Sequence, residues 1–373
     1  MESSTGRKLY DAFVCVAGQC QFTCCKGWEI SVDSQTYDRW KNNFKPSDGV
    51  KNTISIKKTS GSKHYKINMG QDKCCPYFNA EGLCRVVIDY GEEYLPKICG
   101  QFPRIMNHFG SKIEYSLSCA CPEVVDILWR EEGKAELFAS EASKVREGNA
   151  HLHDIRNMLL TLLFSQKHSI QDRLLLGFLM LSDCAENDII RKDAIGYYQD
   201  EQYQTSLLRL RSEEKLKIED ACLEQNELFL DIGDNYRKEE HFRKHLEPLT
   251  AFAEVQDVRD MVPRYKEFET VFSAYDKLVE QCLAIKVYSE CVGEDIDAML
   301  LTFQLIVLEY SMLRHSAFLI WLMKGKLSYR DIRDFIVIYS RIIGNNPEGI
   351  KDFFGDSFDG GFWYPGYLLL LLS

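Results

Sequence analysis

The chain has 373 residues, of which 45% are hydrophobic and 27% are charged, a composition typical of a globular protein. Its formal net charge is −11, with +3 on residues 1–125 and −14 on the remainder. Because phosphate binding needs clustered positive charge, this balance argues against nucleic acid as a partner. The opening MESSTGRKLYDAF has no apolar run like that of a secretion signal, and we expect a cytoplasmic protein.

Cysteines crowd the first third of the chain, where ten of the 14 lie before residue 122. In a reducing cytoplasm, clustered thiols persist as metal ligands rather than as disulfides. We therefore expect the first part of the chain to bind a metal. The four later cysteines are single residues in helical stretches, and we expect them to be small buried hydrophobic residues. They are Cys184, Cys222, Cys282 and Cys291.

The spacing of the early cysteines does not distinguish a zinc site from an iron–sulfur cluster. Cys24–Cys25 and Cys74–Cys75 are adjacent pairs, and adjacent side chains point in different directions in most backbone conformations. Each pair is therefore expected to give one ligand to a given metal. At least four donors remain, enough for an all-thiolate zinc site or a cubane iron–sulfur cluster. The spacing is neither that of a zinc ribbon nor the C-x3-C-x2-C of radical enzymes.

Secondary structure changes in character along the chain. Between the cysteine groups, KNTISIKKTSGSKHYKIN alternates polar and apolar residues around a Ser-Gly-Ser break and predicts a β-hairpin or an exposed loop. From about residue 126 onward, segments such as HDIRNMLLTLLFSQKH and SIQDRLLLGFLMLSDC have helical periodicity. Ser169 with Asp172 and Ser328 with Asp331 predict two helix starts, and Gly344 predicts an end.

We therefore predict a mainly α fold, with an irregular, cysteine-rich, metal-binding part (residues 1–125) packed on an all-helical part (residues 126–373). The most apolar stretch, AMLLTFQLIVLEYSMLRHSAFLIWLM, contains Glu309, Arg314 and His315, which fits a buried helix better than a membrane span. We expect no membrane partner. His151 and His153 form a poor ligand pair on a helix and predict a solvated helix start.

Three sequence segments around the cysteines, here called the cysteine phrases, indicate a protein family more specifically than the cysteine spacing does. They are YDAFVCVAGQCQFTCCKGWEISVDSQTY, CPYFNAEGLCRVVIDYGEEYLPKICGQFPR and YSLSCACPEV. In order and spacing, this part of the chain resembles the flagellin lysine-N-methylase family over about the first 125 residues. A looser likeness exists to small bacterial zinc- or iron-chelating cysteine-cluster domains.

The resemblance implies a [4Fe-4S] cluster and the methylation of flagellin lysines with S-adenosylmethionine as the methyl donor. Zinc is the alternative metal, because of the looser likeness. The resemblance leaves the oligomeric state open. Carried over position by position, it implies the following metal ligands: Cys15, Cys20, Cys24, Cys25, Cys75, Cys84, Cys99 and Cys121.

Methylation requires a neutral lysine amine, and so a proton must leave a group whose pKa in water is about 10.4. The motifs supply three candidates for that catalytic work: Glu92, Tyr77 and Glu123. Three further residues are candidates for cofactor binding: Arg104, Arg85 and Trp28. Each also has a plainer interpretation as a structural acid, a packing aromatic residue or a salt-bridge partner.

Two other functions fit the same residues. The chain could be a protein-interaction module stapled by zinc, or an iron–sulfur protein that transfers electrons. No G-x-G-x-x-G follows a clear strand, and so a standard nucleotide-binding βαβ methyltransferase domain is not visible. A methylase interpretation therefore makes the metal-binding part central.

Overall fold

The computed structural model describes residues 8–45, 49–59, 62–70, 73–109, 112–131, 137–141, 150–186, 191–213, 218–236, 240–345, 350 and 365–372. Within them the chain is mainly helical, as predicted. The first helices are α1 Lys8–Ala12, α2 Ser34–Asn43, α3 Val50–Thr53, α4 Arg85–Tyr90, α5 Lys97–Gln101 and α6 Pro122–Arg130. Next come α7 Ala150–Leu163, α8 Ile170–Glu186, α9 Arg191–Gln199, α10 Glu201–Glu213, α11 Ile218–Tyr236 and α12 Glu240–Ala253. The last are α13 Val258–Met261, α14 Tyr265–Phe272, α15 Asp276–Glu290, α16 Ile296–Lys324, α17 Tyr329–Tyr339 and α18 Pro365–Leu371.

The cysteine-rich part is less irregular than predicted, because it contains strands of two antiparallel sheets. The strands are β1 Ser31–Val32, β2 Ile54–Thr59, β3 Ser62–Ile67, β4 Arg104–Phe109, β5 Lys112–Leu117 and β6 Ala139–Glu141. One sheet has the order β1-β3-β2, and its β2–β3 pairing, from Ile54 opposite Ile67 to Thr59 opposite Ser62, confirms the predicted hairpin. The other has the order β4-β5-β6. Its central strand β5 was missed because residues 114–117 are all buried, which removes the alternation that marks a half-exposed strand.

Helix α16 is the centre of the larger core. Asp295 caps its start by accepting a hydrogen bond from the backbone of Ala298, and Gly325 ends it in the left-handed region with φ of 69°. The helix is long and apolar enough to cross a membrane, but 72% of its most apolar window is buried inside the protein. It is therefore the buried helix that the sequence predicted, packed on by α8, α11, α12, α15 and α17.

Glu309, Arg314 and His315, the residues that argued against a membrane span, each have a partner in the folded protein. Glu309 lies 2.8 Å from Lys286, and Arg314 Nη2 donates to Glu269 at 2.9 Å. His315 Nε2 lies 3.1 Å from Asn226 Oδ1, and burial lowers the pKa of His315 to about 3. Because buried charges and polar groups need partners, these contacts make the apolar helix compatible with its charged residues.

The predicted helix signals are confirmed. Ser169 Oγ accepts from the backbone N–H of Asp172 at 3.1 Å just before α8. Ser328 and Asp331 form a reciprocal capping box at the start of α17. Helix α17 continues as a π-helical segment, Ser340–Gly344, that ends at the predicted glycine. The four later cysteines are all buried, as expected.

A smaller core fills the cysteine-rich part beside the larger one. It is built around Trp40, whose ring is fully buried and whose Nε1 donates to the Tyr94 carbonyl at 2.7 Å. The larger core takes side chains from both predicted parts, including Phe13, Phe22 and Leu117. The predicted boundary after residue 125 falls inside α6.

One buried ion cluster ties β5 to α7. The Glu114 side chain is fully buried, and its Oε1 lies 2.7 Å from Lys112 Nζ and 2.8 Å from both His153 Nε2 and Arg156 Nη2. Arg156 also donates to the Tyr288 carbonyl on α15 at 2.9 Å. The predicted solvated start of α7 is therefore wrong at His153, whose side chain is only 10% exposed. The reason is the carboxylate of Glu114, which the sequence places far away on a strand.

Acid is expected to destabilise the protein through Glu114. Burial alone would raise its pKa, but hydrogen bonds from His153, Arg156 and Lys112 outweigh burial and lower the pKa to about 2. A carboxyl whose folded pKa lies below its unfolded value of 4.5 stabilises the fold above that value, and the contribution is lost as pH falls towards about 2. Melting temperatures measured between pH 7 and pH 3 should fall less steeply for Glu114→Gln than for the wild type. Parallel curves would contradict this assignment.

Candidate functional site

A cavity of about 630 Å³ lies between the two cores. Its volume is within the range of small-molecule and cofactor sites. Its lining includes all eight cysteines to which the resemblance gave a metal-ligand role: Cys15, Cys20, Cys24, Cys25, Cys75, Cys84, Cys99 and Cys121. Segments far apart in sequence therefore bring these thiols to one place.

The first thiol-bearing loop, residues 13–30, runs from α1 to β1. It packs closely on the loop that precedes Cys84: a Cβ added at Gly18 would lie 3.1 Å from the Glu81 carbonyl oxygen, and one at Gly82 would meet the backbone of Gly18. Gly82 also has a φ of +78°, which favours glycine. The two glycines let the backbones approach and so bring two thiol groups together.

Backbone hydrogen bonds join the two segments that carry the adjacent cysteine pairs. The Cys75 N–H donates to the Cys25 carbonyl at 2.8 Å, and the Gly27 N–H donates to the Lys73 carbonyl at 3.1 Å. Of the second pair, Cys75 lines the cavity whereas Cys74 is absent from its lining, as expected for adjacent side chains. Cys24 and Cys25, in contrast, both line it and their side chains are hydrogen-bonded to each other.

Five of the thiols interact electrostatically with one another. Cys24, Cys75 and Cys84 act on both Cys25 and Cys99. Burial raises the pKa of Cys99 and raises that of Cys75 to about 12, whereas the hydrogen bond with Cys25 lowers the pKa of Cys24 to about 7. Cys75 and Cys99 are therefore neutral thiols at pH 7 unless a positively charged occupant ionises them.

The lining carries soft thiol donors, the kind that both zinc and iron–sulfur clusters take. A zinc ion needs four donors about 2.3 Å from one point. Within the described ranges, no three His, Cys, Asp or Glu side chains are arranged to hold a single metal ion. The eight thiols around this cavity of about 630 Å³ are more than the four that either an iron–sulfur cluster or a zinc ion needs. Metal binding itself stays a prediction.

The other six predicted site residues divide into two groups. Trp28, Tyr77, Glu92 and Arg104 line the cavity. Two lie elsewhere: Arg85 pairs with Asp89 at the surface, and Glu123 pairs with Arg130 at 2.6 Å.

Three of the lining residues already have partners in the protein. Trp28 Nε1 donates to the Cys24 carbonyl at 2.5 Å, and the Tyr77 hydroxyl lies 2.7 Å from Thr53 Oγ1. Arg104 donates to the carbonyls of Tyr10 and Phe13, just before Cys15. These contacts position the walls of the cavity, and Glu92 is left as the exposed carboxylate among the described lining residues.

Sequence reasoning missed Arg341, which comes from the helical part and touches the first thiol-bearing loop. Its guanidinium donates to the carbonyls of Phe22, Thr23 and Ala120 at 2.6, 3.0 and 2.9 Å. No local signal marks this arginine, since it follows α17 in a segment whose pattern predicts only a buried helix.

The fold and the site define a mainly helical protein with a cysteine-rich cavity beside its larger core. Residues 156–371 match the family model described as the FliB lysine N-methylase C-terminal domain, and the chain belongs to this family. The family predicted from the cysteine phrases is thereby confirmed.

Curated relatives agree with this placement. The chain is 32% identical over 118 residues to the flagellar biosynthetic protein FliU of Salmonella muenchen, covering 30% of this chain and 68% of FliU. It has the same identity over 118 residues to proteins named lysine-N-methylase from Salmonella typhimurium and Salmonella choleraesuis, of which the match spans 29%. No solved structure matches the chain.

Proposed function

We propose that the chain is a protein-lysine N-methyltransferase that acts on flagellin, with S-adenosylmethionine as the methyl donor and a [4Fe-4S] cluster in the thiol-lined cavity. Membership of the lysine N-methylase family supports protein-lysine methylation, and the name of the relative FliU supports a flagellar role. The single observation that carries the rest is the convergence of eight cysteines on one cavity.

Four thiols would hold the cluster: Cys24, Cys75, Cys84 and Cys99. Cys24, Cys75 and Cys84 all interact electrostatically with Cys99, and four thiolates are the usual ligands of a cubane cluster. When bound, such a cluster supplies a redox-active iron centre whose properties depend on nearby charges and hydrogen bonds. Cys25 lies beside Cys24 and is the reserve ligand, while Cys15, Cys20 and Cys121 line the remaining wall.

The cavity is open to a protein substrate. Val14 and Ile88 belong to its lining and are 73% and 56% exposed, so that an apolar rim faces solvent. The aliphatic stem of a lysine suits such a rim, because long charged side chains lay their methylenes along apolar surface. Glu92 is exposed in the same lining and can receive the terminal amino group.

Glu92 is the base that this arrangement favours. As the amine nitrogen bonds to the methyl carbon, the carbon–sulfur bond of the sulfonium breaks, its electrons stay on sulfur, and a proton leaves nitrogen. The carboxylate of Glu92 accepts that proton, while Arg104 and Trp28 keep the first thiol-bearing loop in place. Tyr77 is committed to Thr53 and serves to support the wall.

A methylation assay tests the function. The chain, purified without oxygen, is incubated with flagellin and methyl-labelled S-adenosylmethionine, and methyl-lysine is counted by mass spectrometry. Glu92→Gln is expected to lower the rate about 10²-fold, the usual contribution of a general base. Glu29→Gln, which removes an exposed acid paired with Lys66, serves as the control. Absence of methyl-lysine with the iron-loaded wild type would reject the function, and an unchanged rate for Glu92→Gln would reject only the base.

A further inference from the structure

The hairpin formed by β2 and β3, here called the basic hairpin, carries positive charge on an acidic protein. Lys57, Lys58 and Lys63 are exposed and form no ion pair with another described residue. A further lysine of the hairpin, Lys66, is paired with the carboxylate of Glu29. Since the formal net charge of the chain is −11, the first three lysines form a positive surface of opposite sign to the protein as a whole.

The strand register brings these positive charges close together. Lys58 lies directly opposite Lys63, and Lys57 lies opposite His64. Like charges directly opposite each other on neighbouring strands destabilise a sheet. The carboxylates of a bound partner would relieve the repulsion between Lys58 and Lys63, which no ion pair with a described residue offsets. The register therefore favours an anionic partner.

Strand β2 also offers an edge to such a partner. In the sheet order β1-β3-β2, β2 has a neighbouring strand on one side only among the described residues. An edge strand presents a row of unpaired backbone N–H and C=O groups, to which an extended peptide can add as a further strand. Successive side chains alternate between faces, so that Lys57 lies on one face of this edge and Lys58 lies on the other with Ile56, which is 48% exposed. The side chains of an added strand alternate in the same way, and acidic ones would meet lysines on both faces.

The base of the basic hairpin belongs to the wall of the thiol-lined cavity. Ile67, at the end of β3, lines the cavity, and its N–H donates to the carbonyl of Ile30, another lining residue, at 2.9 Å. Lys63 precedes Ile67 by four positions, which corresponds to about 14 Å along a strand that rises about 3.4 Å per residue. A segment bound along β2 therefore reaches the cavity wall within about five residues of the lysines.

We propose that the basic hairpin binds an acidic, extended segment of the protein substrate, which adds to the edge of β2 and brings a nearby substrate lysine to the cavity. The word substrate rests on the proposed function, whereas the binding of an acidic segment concerns the chain alone. A polypeptide suits this edge better than a nucleic acid does, because a peptide backbone both donates and accepts hydrogen bonds, whereas phosphates only accept them.

Peptide binding to the metal-free full chain tests the docking surface. The probe is a fluorescent peptide with a single lysine and aspartates within about five residues of it, and its partner peptide has asparagine at each aspartate. Fluorescence anisotropy is expected to show about tenfold tighter binding of the aspartate peptide. The combined variant Lys57→Gln, Lys58→Gln and Lys63→Gln should lose about tenfold in affinity for it, since each exposed ion pair contributes little by itself.

A matched control removes the same charge elsewhere. Lys266, Lys326 and Arg330 are exposed and lie in the helical part, and changing all three to glutamine should leave the affinity for the aspartate peptide unchanged. The substituted side chains are exposed in both variants, so that both are expected to fold. Hydrogen exchange followed by mass spectrometry then tests strand addition, because the bound peptide should slow exchange in the segment covering β2.

Methylation kinetics connect the surface to the substrate. With an active wild type and flagellin, the hairpin variant should raise KM about tenfold and leave kcat unchanged, because its lysines contact the substrate away from the reacting atoms. The control variant should change neither constant.

Each outcome supports or overturns a defined part of the proposal. Equal affinity for the aspartate and asparagine peptides, or unchanged affinity in the hairpin variant, would overturn the docking surface. A hairpin variant that self-associates but binds the peptide normally would show that the lysines only protect the edge. Binding without slower exchange in β2 would overturn strand addition, and tighter binding of a single-stranded oligonucleotide of equal charge would overturn the polypeptide partner.

Failure of the proposed function is seen separately. A wild type that forms no methyl-lysine would reject that function, while the peptide affinities still decide whether the basic hairpin binds acidic segments. An active wild type whose KM for flagellin does not change in the hairpin variant would overturn the assignment of the bound segment to the substrate.

Discussion

Replacing Cys84 or Cys99 by alanine is expected to remove the cluster and, with it, methylation. The wild type purified without oxygen should contain about four irons and four sulfides per chain and be coloured. Either substitution removes one of the four thiols proposed as cluster ligands, and we expect the iron content to fall below about one per chain. Metal and sulfide analysis with a visible absorption spectrum measures this directly.

Cys184→Ala is the control for the cysteine variants. Cys184 is fully buried in α8, outside the cavity lining, and its loss should leave iron and colour intact. Stoichiometric zinc in a colourless wild type would instead support the zinc-stapled interaction module. A coloured protein that forms no methyl-lysine would favour the electron-transfer alternative.

Arg156→Met is expected to cause the largest loss of stability. The substitution takes the nearest guanidinium from the fully buried Glu114 carboxylate and removes the link to the Tyr288 carbonyl on α15. Breaking a buried ion pair on one side costs about 3 kcal/mol, and among the described residues Glu114 keeps only Lys112 and His153 as partners. Urea denaturation, with the free energy of unfolding extrapolated to water, gives the measurement.

A double variant isolates the cause of that loss. Glu114→Gln combined with Arg156→Met should cost less than the sum of the two single changes, since the buried charge is then gone. Arg243→Met breaks a half-exposed pair with Glu247 and should change stability little. Strict additivity in the double variant would show that packing of the arginine, and not the ion pair, carries the effect.

The cysteine phrases predicted which thiols come together better than they predicted the fold around them. The family resemblance singled out eight cysteines, and the structure brings all eight to one cavity. Cysteines are chemically distinctive, so that their positions in the chain carry information about a site. The helices were predicted equally well, because hydrophobic periodicity and caps such as Ser328 with Asp331 are local signals.

Contacts between segments far apart in the chain could not be predicted from the sequence. Arg341 and Arg156 are ordinary positively charged residues in helical stretches. No local sequence pattern indicates that their partners are Thr23 and Glu114. Strand β5 was hidden for a related reason, since tertiary packing buries its residues Glu114 and Ser116 together with the apolar ones. Local pattern predicts an element, whereas the partner of a buried charge depends on the whole fold.

The contact between Thr23 and Arg341 spans 318 positions of the chain, and this has a consequence for how the protein is made. At about 5 to 20 residues per second, a ribosome needs roughly 15 to 60 s to add the arginine after the threonine. During that interval the thiols of the first loop are synthesised but their cavity is open on one side. Oxidants can reach these thiols in that interval, and we expect the proposed cluster to be assembled only after the last helices have emerged.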